Sequence, residues 1–381
     1  MDKRDGSFGI ESDYFIILNK DISNYSVNNK NIKLNNSYPS IDLRSPKEYK
    51  KGTIPNSVNL PILNDAEFHE IGKTFRSKGK KAAIDLGYKL VSGEKKTNRI
   101  DSWIKFILKN NNCFIFCYRG GLRSQIAYEW IRSRGVSINR LEHGYKKYRQ
   151  QVLLMHQNIK NYTERWVILG GYTGSGKTDI IKNYQCSIDL ESIANHRGSA
   201  FGKTGVEQPS QSNFESLVSK EYLQKQKSKF LLMEDESRFI GKAMLPGKWY
   251  DKMQISDIIL LESDIVERSN RIYNNYVKNP ANSKLDLNEL RSYYLLSLSK
   301  IRKRLGDNHY QTIRNILNIA FDSNDKKLHI KWIKILLEKY YDRMYGYKLN
   351  LRAKQIIFKG NEADCNDFIS NLILEKKKII P

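Results

Sequence analysis

Trp166-Val167-Ile168-Leu169-Gly170 runs directly into Gly171-Tyr172-Thr173-Gly174-Ser175-Gly176-Lys177-Thr178. The first five residues read as a buried strand, and Asp179 to Tyr184 continues with helical character. This is a complete G-x-x-x-x-G-K-T pattern in the strand–loop–helix setting that it requires. Its glycines let successive backbone N–H groups turn inward around phosphate oxygens. Lys177 adds a mobile charge, and the Thr178 hydroxyl is a candidate ligand for Mg²⁺. The phosphate-binding candidates are therefore Gly171, Gly174, Ser175, Gly176, Lys177 and Thr178. A structural glycine turn would not explain the strand before it and the helix after it. The segment predicts a P-loop α/β domain.

Such a domain needs a second strand ending in acids. Phe230-Leu231-Leu232-Met233, followed by Glu234-Asp235-Glu236-Ser237-Arg238, supplies one. Glu234, Asp235 and Glu236 are all candidates for a metal ligand or a base, with Asp235 paired to Thr178 as the candidate Mg²⁺ site. A solvated charge cluster would account for at least one of the three. Between these strands, Asp189-Leu190-Glu191 and Asn195-His196-Arg197-Gly198-Ser199 form a polar loop. That loop could close over phosphates or nucleic acid, whereas His196 alone reads as a packed or surface histidine.

A second site lies upstream. Cys113 to Phe116 reads as a buried strand, Gln125 to Arg134 as a helix, and Cys117-Tyr118-Arg119-Gly120-Gly121-Leu122-Arg123-Ser124 joins them. A cysteine on a glycine turn that opens a helix faces backbone N–H groups and the positive helix end. With Arg119 and Arg123 beside it, the setting favours thiolate and makes Cys117 a nucleophile. Cys113, inside the strand, reads as structural. Asp42-Leu43-Arg44-Ser45-Pro46, Glu48-Tyr49 and Gly52-Thr53-Ile54-Pro55-Asn56-Ser57-Val58-Asn59-Leu60-Pro61 precede this loop. Together these motifs resemble a rhodanese domain, the sulfurtransferase module whose loop cysteine carries a persulfide.

The 381-residue chain is long enough for two cores. The expected domains are 1–150, rhodanese-like, and 151–381, a P-loop domain with a helical C-terminal extension. Gln150 to Tyr162 reads as a helical connector. Ile301 to Ala320 and Leu328 to Tyr345 read as helices, with Trp332 and Tyr345 able either to pack or to stack on bases. A net charge of +24 and a pI near 9.6 favour a polyanionic partner, with nucleic acid first among them. Four cysteines without metal-ligand spacing argue against structural zinc or a disulfide framework and suit a reducing cytoplasm. Met1 to Gly9 shows no signal peptide, and no apolar run approaches a membrane span. Lys376 to Lys378 reads as a solvated tail.

A rhodanese domain joined to a P-loop domain resembles the bacterial tRNA 2-selenouridine synthases. Glu70-Ile71-Gly72-Lys73-Thr74-Phe75, Arg197-Gly198-Ser199-Ala200-Phe201-Gly202, Glu236 to Gly241, Lys303 to Gly306 and Tyr340-Tyr341-Asp342 extend the likeness nearly end to end. The resemblance implies replacement of sulfur by selenium in 2-thiouridine at the tRNA wobble position. Selenophosphate would be the donor, furnished by a supply enzyme, and geranyl diphosphate would alkylate the sulfur first. No tightly bound cofactor is implied. By similarity Cys117 carries or delivers selenium, the P-loop holds a diphosphate, and Arg44, Arg197 and Arg238 are candidate substrate or tRNA contacts. Tyr118 stands where the family commonly has tryptophan, His143 where glycine is frequent, and Arg343 where proline is common. The alternatives are a rhodanese-type tRNA sulfurtransferase, a P-loop kinase or NTPase with a regulatory rhodanese domain, and a non-catalytic tRNA scaffold.

Overall fold

The computed structural model describes residues 38–278 and 286–374, with the backbone of a small hairpin, β1 (Tyr25–Val27) and β2 (Lys30–Ile32). The expectations for Met1 to Gly9 and Lys376 to Lys378 lie outside the described residues. The chain divides into two compact units, Met1–His156 with Ser210–Leu223, and Gln157–Pro209 with Gln224–Pro381. Part of the helix Gln211–Lys225 therefore belongs with the first unit although it follows the P-loop in sequence.

The first unit holds a four-stranded, all-parallel sheet in the order β4 (Ser57–Asn59), β3 (Ser40–Asp42), β5 (Phe114–Phe116), β6 (Asn139–Arg140). Parallel strands need crossovers, and helices supply them. Pro46–Lys51 starts on a Ser45–Glu48 capping box, Asp65–Leu90 on an Asn64–Glu67 box, and Leu122–Arg132 follows the cysteine loop. Ile41, Leu43, Trp103, Ile115, Ala127 and Ile131 form its core. The helix Gln211–Lys225 is tied to it by Asn213, which accepts from the Thr53 amide at 2.7 Å, and by Glu215, which is paired with Arg149.

The second unit is built on a five-stranded parallel sheet ordered β11 (Ile356–Gly360), β10 (Asp257–Leu261), β7 (Arg165–Gly171), β9 (Phe230–Glu234), β8 (Ser187–Ile188). The P-loop strand β7 is central, and six of its seven residues are buried. An all-apolar run is what a strand covered on both faces requires. Leu287–Leu305, Asp307–Ser323 and Lys326–Leu336 pack a separate helical core around Tyr294, Leu298, Leu317 and Trp332.

The expected helix Ile301 to Ala320 is two helices. Gly306 has φ +88°, which caps the first and starts the second at an angle. Likewise Leu328 to Tyr345 changes pitch, because Leu337–Tyr341 is a π-helix between two α-helices. Trp332 is buried in this core, so it packs and does not present a stacking face. Among the described residues no helix is long and apolar enough to cross a membrane.

Candidate functional site

In the second unit the loop after β7 wraps the start of the helix Lys177–Lys182. Gly174 and Gly176 have φ of +84° and +101°, a region that side chains disfavour, so the turn depends on glycine at both positions. A Cβ at Gly174 would also strike Ile272 at 2.8 Å. The Lys177 ammonium folds back to the Gly171 carbonyl at 2.8 Å. Thr178 Oγ1 donates toward Glu234 Oε1 at 3.0 Å and lies 3.2 Å from Glu191 Oε2. The last residue of β9 thus meets the first turn of the P-loop helix.

The three neighbouring acids divide by role. Glu234 is 1 % exposed, and burial, reinforced by Glu191, pushes its carboxyl well above the usual range. Glu236 is raised to about 8 by burial and then by Glu191. Asp235, expected to join Thr178 around a metal, has its carboxylate engaged by other partners. It accepts from Arg352 Nη1 at 2.6 Å and from the Tyr345 hydroxyl at 3.0 Å. The same hydroxyl accepts from the Gly171 amide at 2.8 Å, so Asp235 braces the P-loop through Tyr345. Glu191 takes the place beside Thr178, and burial raises its carboxyl too.

Two arginines on the helix Ile265–Ile272 clamp the loop from outside. Arg268 donates to the Thr173 carbonyl at 3.1 Å and pairs with Asp342 at 2.7 Å. Arg271 donates to the Gly174 and Ser175 carbonyls at 3.1 and 2.7 Å. Neither had a sequence signal, because lone arginines on an amphipathic helix look solvated. With carbonyls drawn outward, the loop's amides are left for an anion.

The P-loop, Glu191, Asp235, Glu236 and Arg271 line a cleft of about 670 Å³ together with Tyr276, Tyr340, Tyr341 and Met344. Arg197 and His196 line it as well. Arg197 lies over the Tyr276 ring at 4.7 Å and donates to the Asn275 carbonyl at 2.7 Å. Gly198 lies close over Glu191 and Glu236, whose oxygens a Cβ there would meet at 2.9 and 2.6 Å. Arg238 is exposed on the segment after β9 and does not line the cleft.

In the first unit Cys117 follows β5, and its Sγ lies 3.3 Å from Ser124 Oγ and 3.9 Å from the Gly121 carbonyl. Cys117 is 3 % exposed, while Tyr118 and Arg119 stand out on the surface. Arg123 makes a bidentate pair with Glu48 at 2.6 and 3.0 Å, linking the loop to the capped helix of the Ser45-Pro46 motif. The Cys117 and Tyr118 carbonyls accept from the Tyr145 and Lys146 amides at 3.0 and 2.8 Å. That contact requires a tight turn, and His143 has φ +59° within it. Its side chain is exposed, so the left-handed position is occupied by a histidine that points into solvent. Arg44, expected as a substrate contact, is instead 2 % exposed. Its guanidinium is taken up by Asp42, the Gly52 carbonyl and the Tyr145 ring face. Cys113 is buried, and burial pushes its thiol up to about 11, which fits an inert core residue.

Fold and sites together define a rhodanese-like module joined to a P-loop module in one chain. Residues 164–376 match the family model described as the tRNA 2-selenouridine synthase AAA domain, and residues 27–151 match the rhodanese-like domain. A tRNA 2-selenouridine synthase of Shewanella halifaxensis is 38% identical over 88% of this chain and 95% of its own length. One from Shewanella oneidensis is 39% identical over 88% of this chain and 92% of its own. The crystal structure of the N-terminal domain of a putative ATP/GTP binding protein from Clostridium difficile aligns at 34% identity. That alignment covers 31% of this chain and 90% of the other, with a TM-score of 0.29. The chain belongs to the tRNA 2-selenouridine synthase family.

Proposed function

We propose that the protein is a tRNA-modifying enzyme that replaces the sulfur of wobble 2-thiouridine by selenium, in two steps at two sites. The observation that carries this reading is the composition of the P-loop cleft. Its lining joins a phosphate cradle and Lys177 to tyrosine and methionine side chains. A nucleotide kinase would use the first set. An apolar-tailed diphosphate and a nucleobase would use both.

In the first step the thiouridine sulfur attacks the allylic carbon of geranyl diphosphate. The C–S bond forms, the C–O bond breaks, and its electron pair leaves with pyrophosphate while N3 gives up its proton. Lys177 and the loop amides meet the negative charge that builds on the departing group. Mg²⁺ fits the donor set. Thr178 and Glu234 are hard oxygen donors, and crowded buried carboxylates at Glu191, Glu234 and Glu236 suit a cation. Among the described residues no three His, Cys, Asp or Glu converge as a complete metal cage. Thr178 and Glu234 would hold such an ion, which would offset negative charge on the departing pyrophosphate.

The alkylated sulfur is a better leaving group. In the second step selenium adds at C2 and the geranyl thiol departs. Water then takes the phosphoryl group from selenium as inorganic phosphate. We assign delivery of selenium to the Cys117 loop, where Arg119, two residues on, is exposed and able to meet an anionic donor. A supply enzyme for selenophosphate is the expected upstream partner, and the cytoplasm the expected place of action.

The test is to incubate the pure protein with a 2-thiouridine-containing anticodon stem-loop and geranyl diphosphate without ATP, then add selenophosphate. Nucleoside mass spectrometry should show the S-geranyl product and then 2-selenouridine. A requirement for ATP, with no geranylated species, would favour the kinase reading.

A further inference from the structure

Beside the phosphate cleft lies a small second chamber of about 30 Å³. It shares Thr173, Ser199, Ile272, Tyr276 and Tyr341 with the cleft, so the two form one continuous cavity system. Its inner end is closed by Phe201, Trp332 and Leu336, which are 5, 3 and 5 % exposed. The polar atoms nearest that end are engaged elsewhere. Trp332 Nε1 donates to His329 Nδ1 at 3.2 Å, and the Tyr294 hydroxyl donates to the Tyr276 carbonyl at 2.6 Å. Apart from the Tyr341 hydroxyl, which has no hydrogen-bond partner among the described residues, the chamber presents mainly ring faces and aliphatic carbon, and a water molecule inside it would find few partners.

A second observation bears on the same place. Two π-helical segments occur among the described residues, Tyr273–Lys278 and Leu337–Tyr341. Both contribute to this chamber, through Tyr276 on one side and Leu337 and Tyr341 on the other. π-Turns are rare, widen the helix, and recur at ligand sites. Two of them lining one apolar recess set it apart from ordinary helix packing.

We propose that this chamber receives the distal end of the apolar chain of a diphosphate ester whose head lies on the P-loop, and that Trp332 and Leu336 set the chain length accepted. The inference rests on the reading that the cleft takes an apolar-tailed diphosphate, and adds where the tail ends. At about 30 Å³ the chamber has room for only the last few carbons of such a chain, so a ten-carbon chain is expected to fit and a fifteen-carbon chain to meet the Trp332 wall.

The test is calorimetric binding of inorganic pyrophosphate, geranyl diphosphate and farnesyl diphosphate to the full-length protein. Wild type should bind the geranyl ester at least about tenfold more tightly than pyrophosphate, in line with burial of several methylenes. Leu336→Phe, which fills the chamber, should lose that advantage while binding pyrophosphate unchanged. Leu336→Ala and Trp332→Ala, which deepen it, should shift preference toward the farnesyl ester. Cooperative thermal melts establish that each variant is folded, and either direction of substitution suffices. Folded variants that keep the wild-type order of affinities would overturn the chamber assignment and leave the function intact. If wild type binds neither ester better than pyrophosphate, the chamber assignment falls together with the prenyl diphosphate reading on which it rests.

Discussion

The hydroxyl of Thr178 lies 3.0 Å from a carboxylate oxygen of Glu234, joining the first turn of the P-loop helix to the end of the adjacent strand. This contact brings a phosphate cradle and a buried acid to one point. It also sets two like-charged neighbours, Glu191 and Glu236, around an acid that is itself 1 % exposed. Such an arrangement is costly without a cation or a proton.

Glu234→Gln should therefore keep the fold and lose the response to divalent cation. Pyrophosphate binding by wild type should tighten on adding Mg²⁺, whereas in the variant the gain should shrink by about tenfold or more. Calorimetry with and without Mg²⁺ measures both. A variant whose Mg²⁺ response matches wild type would remove Glu234 from the site.

The same cluster makes stability depend on pH. Burial, then Glu191, raises Glu236 from an ordinary 4.5 to about 8. The unfolded chain releases this proton near the ordinary value, while the folded chain holds it until about 8. Stability is thus lost as pH rises through that interval. Glu236→Gln has no proton to release, so its stability should decline less, by on the order of 1–3 kcal/mol across the window. Urea unfolding at the two ends of the window tests this, and parallel slopes for the two proteins would contradict it.

Tyr345→Phe removes the hydroxyl that accepts from the Gly171 amide and donates to Asp235. Two buried groups lose a partner at once, at a cost of about 1–3 kcal/mol. Because Gly171 begins the P-loop, pyrophosphate affinity should fall as well. Loss of stability with unchanged affinity would show that Tyr345 braces the helical part alone.

The phosphate loop was legible because its chemistry is local. Gly171 to Thr178 carries cradle, charge and hydroxyl in eight consecutive residues, with its strand and helix on either side. The cysteine loop was legible for the same reason. What escaped is non-local. Glu191 reaches Thr178 across 13 positions, Tyr345 reaches Gly171 across 174, and Arg352 reaches Asp235 across 117. Nothing in the run Glu234 to Glu236 states which side chain points at the loop, since alternation along a strand end gives way once the strand stops. Arg44 misled because a conspicuous arginine in a polar motif reads as a ligand contact, whereas here it neutralises buried Asp42.

Binding of tRNA should weaken steeply with salt, because a chain of net charge +24 gains affinity from phosphate contacts and counterion release. Preference for 2-thiouridine over uridine should change far less, since base contacts choose it. Filter binding of both RNAs between about 50 and 200 mM salt covers the range over which such complexes lose most affinity. A flat salt response would remove the electrostatic account of tRNA binding.

The two loops divide the chemistry between them, and one paired measurement separates their parts. Cys117→Ser and Lys177→Ala are each given the thiouridine stem-loop, geranyl diphosphate and selenophosphate, and the wobble nucleoside is weighed. Cys117→Ser should stop at S-geranyl-2-thiouridine, because a serine hydroxyl does not replace the cysteine sulfur while the P-loop is untouched. Lys177→Ala should stop at 2-thiouridine, because the leaving pyrophosphate loses its cation. The account would be contradicted if both folded variants halted at the same nucleoside, or if Lys177→Ala geranylated normally at limiting geranyl diphosphate.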